Sequence, residues 1–106
     1  MPVRAALFAS LALSAAAPRA EDIEISQQNR RFDPTELEIK RGQRVRVLND
    51  DRFIHHVFFE TADAEFDSGD QRPGQSIVLE FPDIGAYEVR CAIHPKMRLK
   101  VDVVGE

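Results

Sequence analysis

From Glu21 onward, apolar and polar residues alternate along the chain with a period of two, in segments of five to seven residues. Residues that favour turns, such as Asp33-Pro34 and Pro73-Gly74, separate the segments. This alternation is typical of strands with one buried face, and its repetition in short segments predicts an all-β sandwich or barrel. The seven predicted strands are 22–27, 36–40, 44–49, 55–60, 76–81, 86–90 and 98–104.

The same alternation indicates which potential ligands face the interior. Successive side chains of a strand point to opposite faces, so charged residues mark the row that faces solvent. In the last segment this places Met97 in line with the inward row, and after the sixth segment the next inward position is Cys91. In the fourth segment Glu60 marks the solvent row, which puts His55 on the inward row and His56 on the other. Three potential metal ligands are therefore expected to face one interior.

The N-terminal residues Met1–Ala20 have the layout of a secretory signal peptide, in which Arg4 precedes an apolar run that ends in small side chains. The run is about thirteen residues long, whereas a membrane-spanning helix needs roughly 18 to 20. No later segment is long and apolar enough to span a bilayer. We expect cleavage between residues 16 and 20, which leaves an exported, monomeric domain of residues 21–106 with no membrane span.

Composition limits the partners and the sources of stability of this domain. Removal of Met1–Ala20 takes away two arginines and no acidic residue, which moves the formal net charge from −4 to −6. An acidic domain is not expected to bind nucleic acid. Cys91 is the single cysteine, so the internal disulfides on which small exported domains usually rely are impossible. Either the hydrophobic core alone stabilises the fold, or a bound metal adds stability.

The stretch CAIHPKM carries Cys91, His94 and Met97 in one short loop. A thiolate, two imidazoles and a thioether suit copper, and two His with one Cys and a distant Met form the blue-copper electron-transfer geometry. His55 is the expected fourth ligand. Four protein ligands leave no open position for a substrate, so the sequence predicts a one-electron carrier with one copper ion rather than an enzyme.

Two segments, FIHHVFFE and YEVRCAIHPKM, resemble the ligand motifs of the cupredoxins of plastocyanin and amicyanin type. The likeness runs through nearly the whole predicted copper-binding domain, residues 21–106. The resemblance implies a Greek-key β-sandwich of seven to eight strands, with His55, Cys91, His94 and Met97 as copper ligands. It also implies a periplasmic one-electron carrier whose redox partner, a dehydrogenase or a c-type cytochrome, docks near His94.

Four residues depart from the pattern of the family that the chain resembles. His56 stands where relatives have Asn, Ala92 where a hydroxyl residue is frequent, Ile54 in place of Pro and Leu99 in place of Gly. The link between the two ligand loops must then be made by another contact, for example by His56 reaching a backbone group. One alternative is that His56 replaces His55 as a ligand.

Two other functions would use the same residues. A copper-handling protein would bind Cu(I) with these donors for storage or delivery, although the sequence lacks the methionine-rich or doubled-cysteine segments expected of such proteins. A thiol enzyme would use Cys91 together with His94, but no acidic residue that would orient the histidine is evident. The tight ligand spacing and Pro95 favour a fixed site over an exchanging one, and so favour the electron carrier.

The surroundings of the predicted ligands indicate a docking surface. Lys96 and Arg98 flank the loop, and Arg52 lies near the first ligand along the chain. A basic rim of this kind could steer an acidic redox partner to the metal end of the domain. Ile54 and Ile93 would contribute an apolar patch beside it, which resembles the electron-entry surface of the family.

Overall fold

The computed structural model describes residues 17, 19 and 21–105. Residues 1–16, 18 and 20, which make up nearly all of the predicted signal peptide, lie outside the described part, as does residue 106. The described residues form nine strands and no helix. The strands are β1 (Ile23–Gln28), β2 (Arg31–Asp33), β3 (Glu36–Lys40), β4 (Arg44–Asn49), β5 (Val57–Glu60), β6 (Glu65–Asp67), β7 (Ser76–Glu80), β8 (Gly85–Cys91) and β9 (Arg98–Val104).

The nine strands are arranged in two sheets with the core between them. One sheet has four strands in the order β2-β1-β4-β7, and the other has five in the order β3-β9-β8-β5-β6. The pairs β1–β4 and β3–β9 are parallel, while the other neighbours are antiparallel. The predicted all-β sandwich is confirmed. Within the described residues no helix is long and apolar enough to cross a membrane.

Two short edge strands, β2 and β6, raise the strand count above the predicted seven to eight. Each contains three residues, which is too short for an alternating pattern to be recognised. β2 pairs with β1 across a two-residue turn at Asn29 and Arg30, and β6 pairs with β5. These strands complete the edges of the two sheets without changing the fold class.

The inward rows predicted from the charged positions form the core. In β9 and β8 the apolar residues of these rows are 0–5% exposed, and Met97 and Cys91, which continue the rows, are each 2% exposed. His55 has no exposed surface, whereas His56 is half-buried. Phe59, Phe81 and Tyr87 pack with ring centroids 4.8–5.3 Å apart. Such aromatic pairs contribute about 0.5–1.5 kcal/mol each beyond their burial.

Three neighbouring strands bring the predicted ligands to one end of the sandwich. β9, β8 and β5 are adjacent in the five-stranded sheet. His55 lies just before β5, Cys91 is the last residue of β8, and Met97 lies just before β9. Val57 is the pairing partner of Cys91, so the start of β5 lies beside the end of β8. Antiparallel pairing therefore gathers residues that are far apart in sequence.

Candidate metal centre

The structure brings the donor atoms of His55, Cys91 and His94 together in a small triangle. The Cys91 Sγ atom lies 3.7 Å from His55 Nδ1 and 3.8 Å from His94 Nδ1, and the two nitrogens are 3.2 Å apart. These residues form the only cluster of three or more potential histidine, cysteine or carboxylate ligands in the described part of the chain. Each histidine thus presents the same ring nitrogen to the sulfur.

The size of this triangle fits a transition-metal ion. The point equidistant from the three atoms lies about 2.1 Å from each, by the geometry of the three measured separations. Metal–nitrogen bonds are about 2.0–2.1 Å long and metal–thiolate bonds about 2.3 Å. Two imidazoles and one thiolate in a trigonal arrangement are the equatorial donors of a blue-copper site. The residues present therefore fit a copper ion.

The main chain of the loop fixes the position of Met97 relative to His94. Its N–H donates to the His94 carbonyl, with an N···O distance of 2.9 Å, and its side chain is 2% exposed. The turn between His94 and Met97 closes the loop that begins at Cys91. A buried thioether at this place is available as the distant fourth donor.

The comparisons with known proteins agree with this geometry. A sequence model described as the cupredoxin-like domain matches residues 3–103. The chain belongs to the cupredoxin-like family. The family assignment and the donor set together support copper binding and electron transfer. No curated protein sequence gives a significant match.

Several solved amicyanin structures are similar to this cupredoxin. Amicyanin from Paracoccus versutus aligns with a TM-score of 0.74 and 26% identity, and the alignment covers 82% of this chain and 85% of that one. A reduced amicyanin variant aligns with a TM-score of 0.75 and 27% identity over 82% of this chain and 86% of that chain. The Cu(I) form of another amicyanin variant gives the same four values. The predicted resemblance to an amicyanin-like cupredoxin is confirmed.

Asp51 fixes the orientation of the His55 ring in this cupredoxin. The Asp51 Oδ2 atom lies 3.0 Å from His55 Nε2, the ring nitrogen that faces away from Cys91. Burial opposes ionisation of Asp51, but hydrogen bonds from the Arg30 N–H, from His55 and from the Arg52 N–H hold its pKa below its usual value. The carboxylate therefore stays charged and accepts the Nε2 proton, which leaves the Nδ1 lone pair for a metal.

The main chain of His55 is anchored by Gln71. The His55 N–H donates to the Gln71 carbonyl at 2.9 Å, and the Gln71 N–H donates back to the His55 carbonyl at 2.7 Å. The Gln71 side chain is buried, and its amide donates to the Val47 carbonyl at 3.0 Å while accepting from Gln27 at 2.6 Å. Asn49 also donates to the Gln71 carbonyl at 3.0 Å. This buried network ties the ligand to the four-stranded sheet.

The two ligand loops are joined by main-chain groups rather than by the His56 side chain. The Ala92 N–H donates to the His56 carbonyl at 2.8 Å, and the His56 N–H lies 3.4 Å from Cys91 Sγ. The His56 ring instead reaches Asp67, with Nε2 and Oδ1 2.6 Å apart. Its ring is thus directed away from the donor triangle, which argues against His56 as a ligand in place of His55.

His94 is kept in the neutral form that a metal ligand requires. Burial is the main cause that lowers its pKa, and the positive charge of Arg30 acts in the same direction. A neutral imidazole offers a lone pair to a metal, whereas a protonated one does not. The Phe53 ring packs edge-on against His94 with the centroids 6.1 Å apart.

The structure places the four predicted ligands at one end of the domain and adds a residue that the sequence did not indicate. Asp51 appears in the sequence only as one of three turn-forming residues, Asn49 to Asp51. The one signal in the sequence is its position four residues before His55, because a loop of that length can bring a carboxylate within hydrogen-bonding distance of the imidazole. The backbone conformation that allows this return is not visible in the sequence.

Proposed function

We propose that this cupredoxin carries single electrons by means of one copper ion bound by His55, Cys91, His94 and Met97. The observation that carries the proposal is the buried triangle of Sγ and two Nδ1 atoms, with sides of 3.2–3.8 Å, in a chain of the cupredoxin-like family. The similar solved structures include reduced and Cu(I) forms of amicyanin. A bound copper ion supplies the one-electron redox couple.

The protein's contribution to this function is a ligand set that is already in place. His55 is held by Asp51 at its ring and by Gln71 at its main chain. Cys91 is part of β8, and the His56 N–H is directed at its sulfur. Ligands that are fixed by packing and hydrogen bonds move little when the charge of the site changes by one unit, which keeps electron exchange fast.

The setting of this activity is part of the proposal. Residues 1–20 act as a signal peptide that is cleaved between 16 and 20, and residues 21–106 work in the periplasm as a monomer. The redox partner is a dehydrogenase or a c-type cytochrome that docks near His94. With four protein ligands the site has no position for a substrate, so the protein is a carrier and not an enzyme.

Copper titration of the apoprotein tests this function. Addition of Cu(II) should give an intense visible thiolate band that saturates at one equivalent, and voltammetry should show a reversible one-electron wave. Cys91→Ala should abolish the band, while Ala92→Ser, which changes the adjacent exposed residue, should retain it. A colourless, readily exchanged Cu(I) complex would identify a copper-handling protein instead. Mass spectrometry of the exported protein would locate the cleavage site.

A further inference from the structure

An arginine in an unusual backbone conformation lies at the metal end of the domain. Asn29 and Arg30 form the turn between β1 and β2 and have φ angles of +55° and +59°. Asn is frequent in such turns, but a long side chain at positive φ is uncommon because its Cβ crowds the backbone. The Arg30 N–H donates to Asp51 Oδ2 at 2.7 Å, which holds this conformation. The turn therefore determines the direction in which the Arg30 side chain leaves the main chain.

The Arg30 side chain and a second arginine share one aromatic ring. The guanidinium carbon of Arg30 lies 4.7 Å from the centroid of the Phe53 ring, and that of Arg52 lies 5.4 Å from it. Cation–π contacts of this kind hold a guanidinium over the face of the ring. We define this group, Arg30, Phe53 and Arg52, as the arginine cluster.

The two guanidinium groups of the arginine cluster lie outside the ion pairs that the described residues form. Arg44, Arg90 and Arg98 each pair with a carboxylate, whereas among the described residues no ion pair involves Arg30 or Arg52. Both arginines are exposed. A guanidinium that stacks on a ring keeps its edge N–H groups available for the two oxygens of a carboxylate. The cluster thus offers two carboxylate sites that the domain itself leaves open.

Phe53 connects the arginine cluster to the metal centre. Its ring packs edge-on against the His94 ring, with the centroids 6.1 Å apart. Ile54 and Ile93, which are 42% and 46% exposed, provide an apolar surface at the same end. An apolar centre with a charged rim is the composition of a protein docking surface.

We propose that the arginine cluster is the docking surface for a redox partner that presents carboxylates. The proposal rests on the proposed function and specifies the chemistry of its partner. The Asp51 side chain is buried and its oxygens face the N–H groups of Arg30, Arg52 and His55, so a partner at the surface meets the two guanidinium groups rather than this carboxylate. Asp50 is exposed beside Arg30 and Arg52, where it accepts a hydrogen bond from the Ser26 hydroxyl at 2.6 Å and keeps its negative charge.

Stopped-flow oxidation of the copper-loaded protein by two small complexes tests the proposal. The trianion hexacyanoferrate(III) gains the electron that the cuprous protein loses, and tris(phenanthroline)cobalt(III) does the same as a trication. Arg30→Gln and Arg52→Gln should each slow the reaction with the anion about threefold, and the double variant about tenfold, at low salt. The reaction with the cation should not slow. Arg41→Gln removes the same charge at the opposite end, beside Val104, and should leave both rates unchanged.

Binding of a carboxylate-bearing chain is measured directly by NMR titration of the Cu(I) protein with a poly-glutamate peptide. Amide shifts should be largest at Arg30, Arg52 and Phe53 and should disappear at high salt. Phe53→Leu should keep the visible spectrum and slow the reaction with hexacyanoferrate(III). Equal rates for the Arg30, Arg52 and Arg41 variants, or shifts centred on Arg41, would overturn the docking surface alone. A protein that binds no copper would overturn the proposed function and the docking surface together.

Discussion

The hydrogen bond between Asp51 and His55 allows a sharp test of how the protein tunes its metal centre. Asp51→Asn preserves the shape of the side chain and removes its charge. The carboxylate accepts from the Arg30 N–H at 2.7 Å, the Arg52 N–H at 3.0 Å and His55 Nε2 at 3.0 Å. An asparagine has a single oxygen, so its NH₂ group must face either Arg52 or His55.

Both orientations of the asparagine weaken metal binding. If the NH₂ group faces His55, it donates to Nε2 and moves the ring proton to Nδ1, the atom that faces Cys91 and His94. If it faces Arg52, the exposed Arg52 N–H loses its acceptor, and His55 Nε2 donates to a neutral amide oxygen instead of a carboxylate, which makes the imidazole a weaker ligand. Loss of a hydrogen-bonding partner behind a ligand typically lowers metal affinity about 10–100-fold, which corresponds to about 1.4–2.7 kcal/mol.

The same substitution should raise the reduction potential. A carboxylate behind the ring stabilises the more highly charged Cu(II) state more than Cu(I). If Cu(II) affinity falls tenfold more than Cu(I) affinity, the potential rises by about 59 mV. Competition titrations with a chelator and voltammetry measure the two quantities. Asp50→Asn is the matched control, because Asp50 is adjacent, accepts from Ser26 and has no recorded contact with His55. Equal affinities and potentials for the two variants would refute the reasoning.

Three further predictions concern other parts of the domain. Met97→Ala should still bind copper but with a shifted potential and visible spectrum, and unchanged values would remove Met97 from the ligand set. The hydrogen bond from Arg44 is the main cause that lowers the pKa of Asp22 to about 2, so its stabilising contribution is complete above about pH 4 and is lost as the pH falls toward 2. The free energy of unfolding in urea should therefore change less with pH in this window for Asp22→Asn than for the unmodified protein. Identical slopes of this free energy against pH would contradict the assignment. The Tyr87 hydroxyl accepts from the Asp83 N–H and donates to the Asp83 carbonyl, at 3.0 Å each. Tyr87→Phe should therefore lower the free energy of unfolding by about 1 kcal/mol. An unchanged urea midpoint would argue against this contribution.

The sequence predicted the fold class and the inward placement of three donors because charged residues mark one face of each strand. Glu60 was sufficient to assign His55 to the interior, and the alternating charges of the last two segments assigned Met97 and Cys91. The burial of these residues confirms that assignment. His94 lies in a loop, where alternation carries no information, and it was indicated only by its spacing from Cys91.

Other features could not be predicted because they depend on contacts between distant segments. Asp51 and Arg30 meet across 21 residues of sequence through a turn whose backbone has positive φ angles. His56 reaches Asp67 only because β6 pairs with β5, and β6 is too short to recognise in the sequence. The expectation that His56 links the ligand loops was wrong for its side chain, since the main chain makes that link.

The loop of residues 49–54 has a consequence for engineering this cupredoxin. In this loop Asp51 points inward and accepts a hydrogen bond from His55. The next two residues form the contacts nearer the surface, where Arg52 lies over the Phe53 ring and Phe53 packs against His94. With the proposed roles of Asp51 and of the arginine cluster, a graft of the whole loop into a relative would change the reduction potential and the choice of redox partner together. A design that changes the reduction potential and keeps the redox partner would therefore substitute a residue outside this loop, such as the proposed ligand Met97.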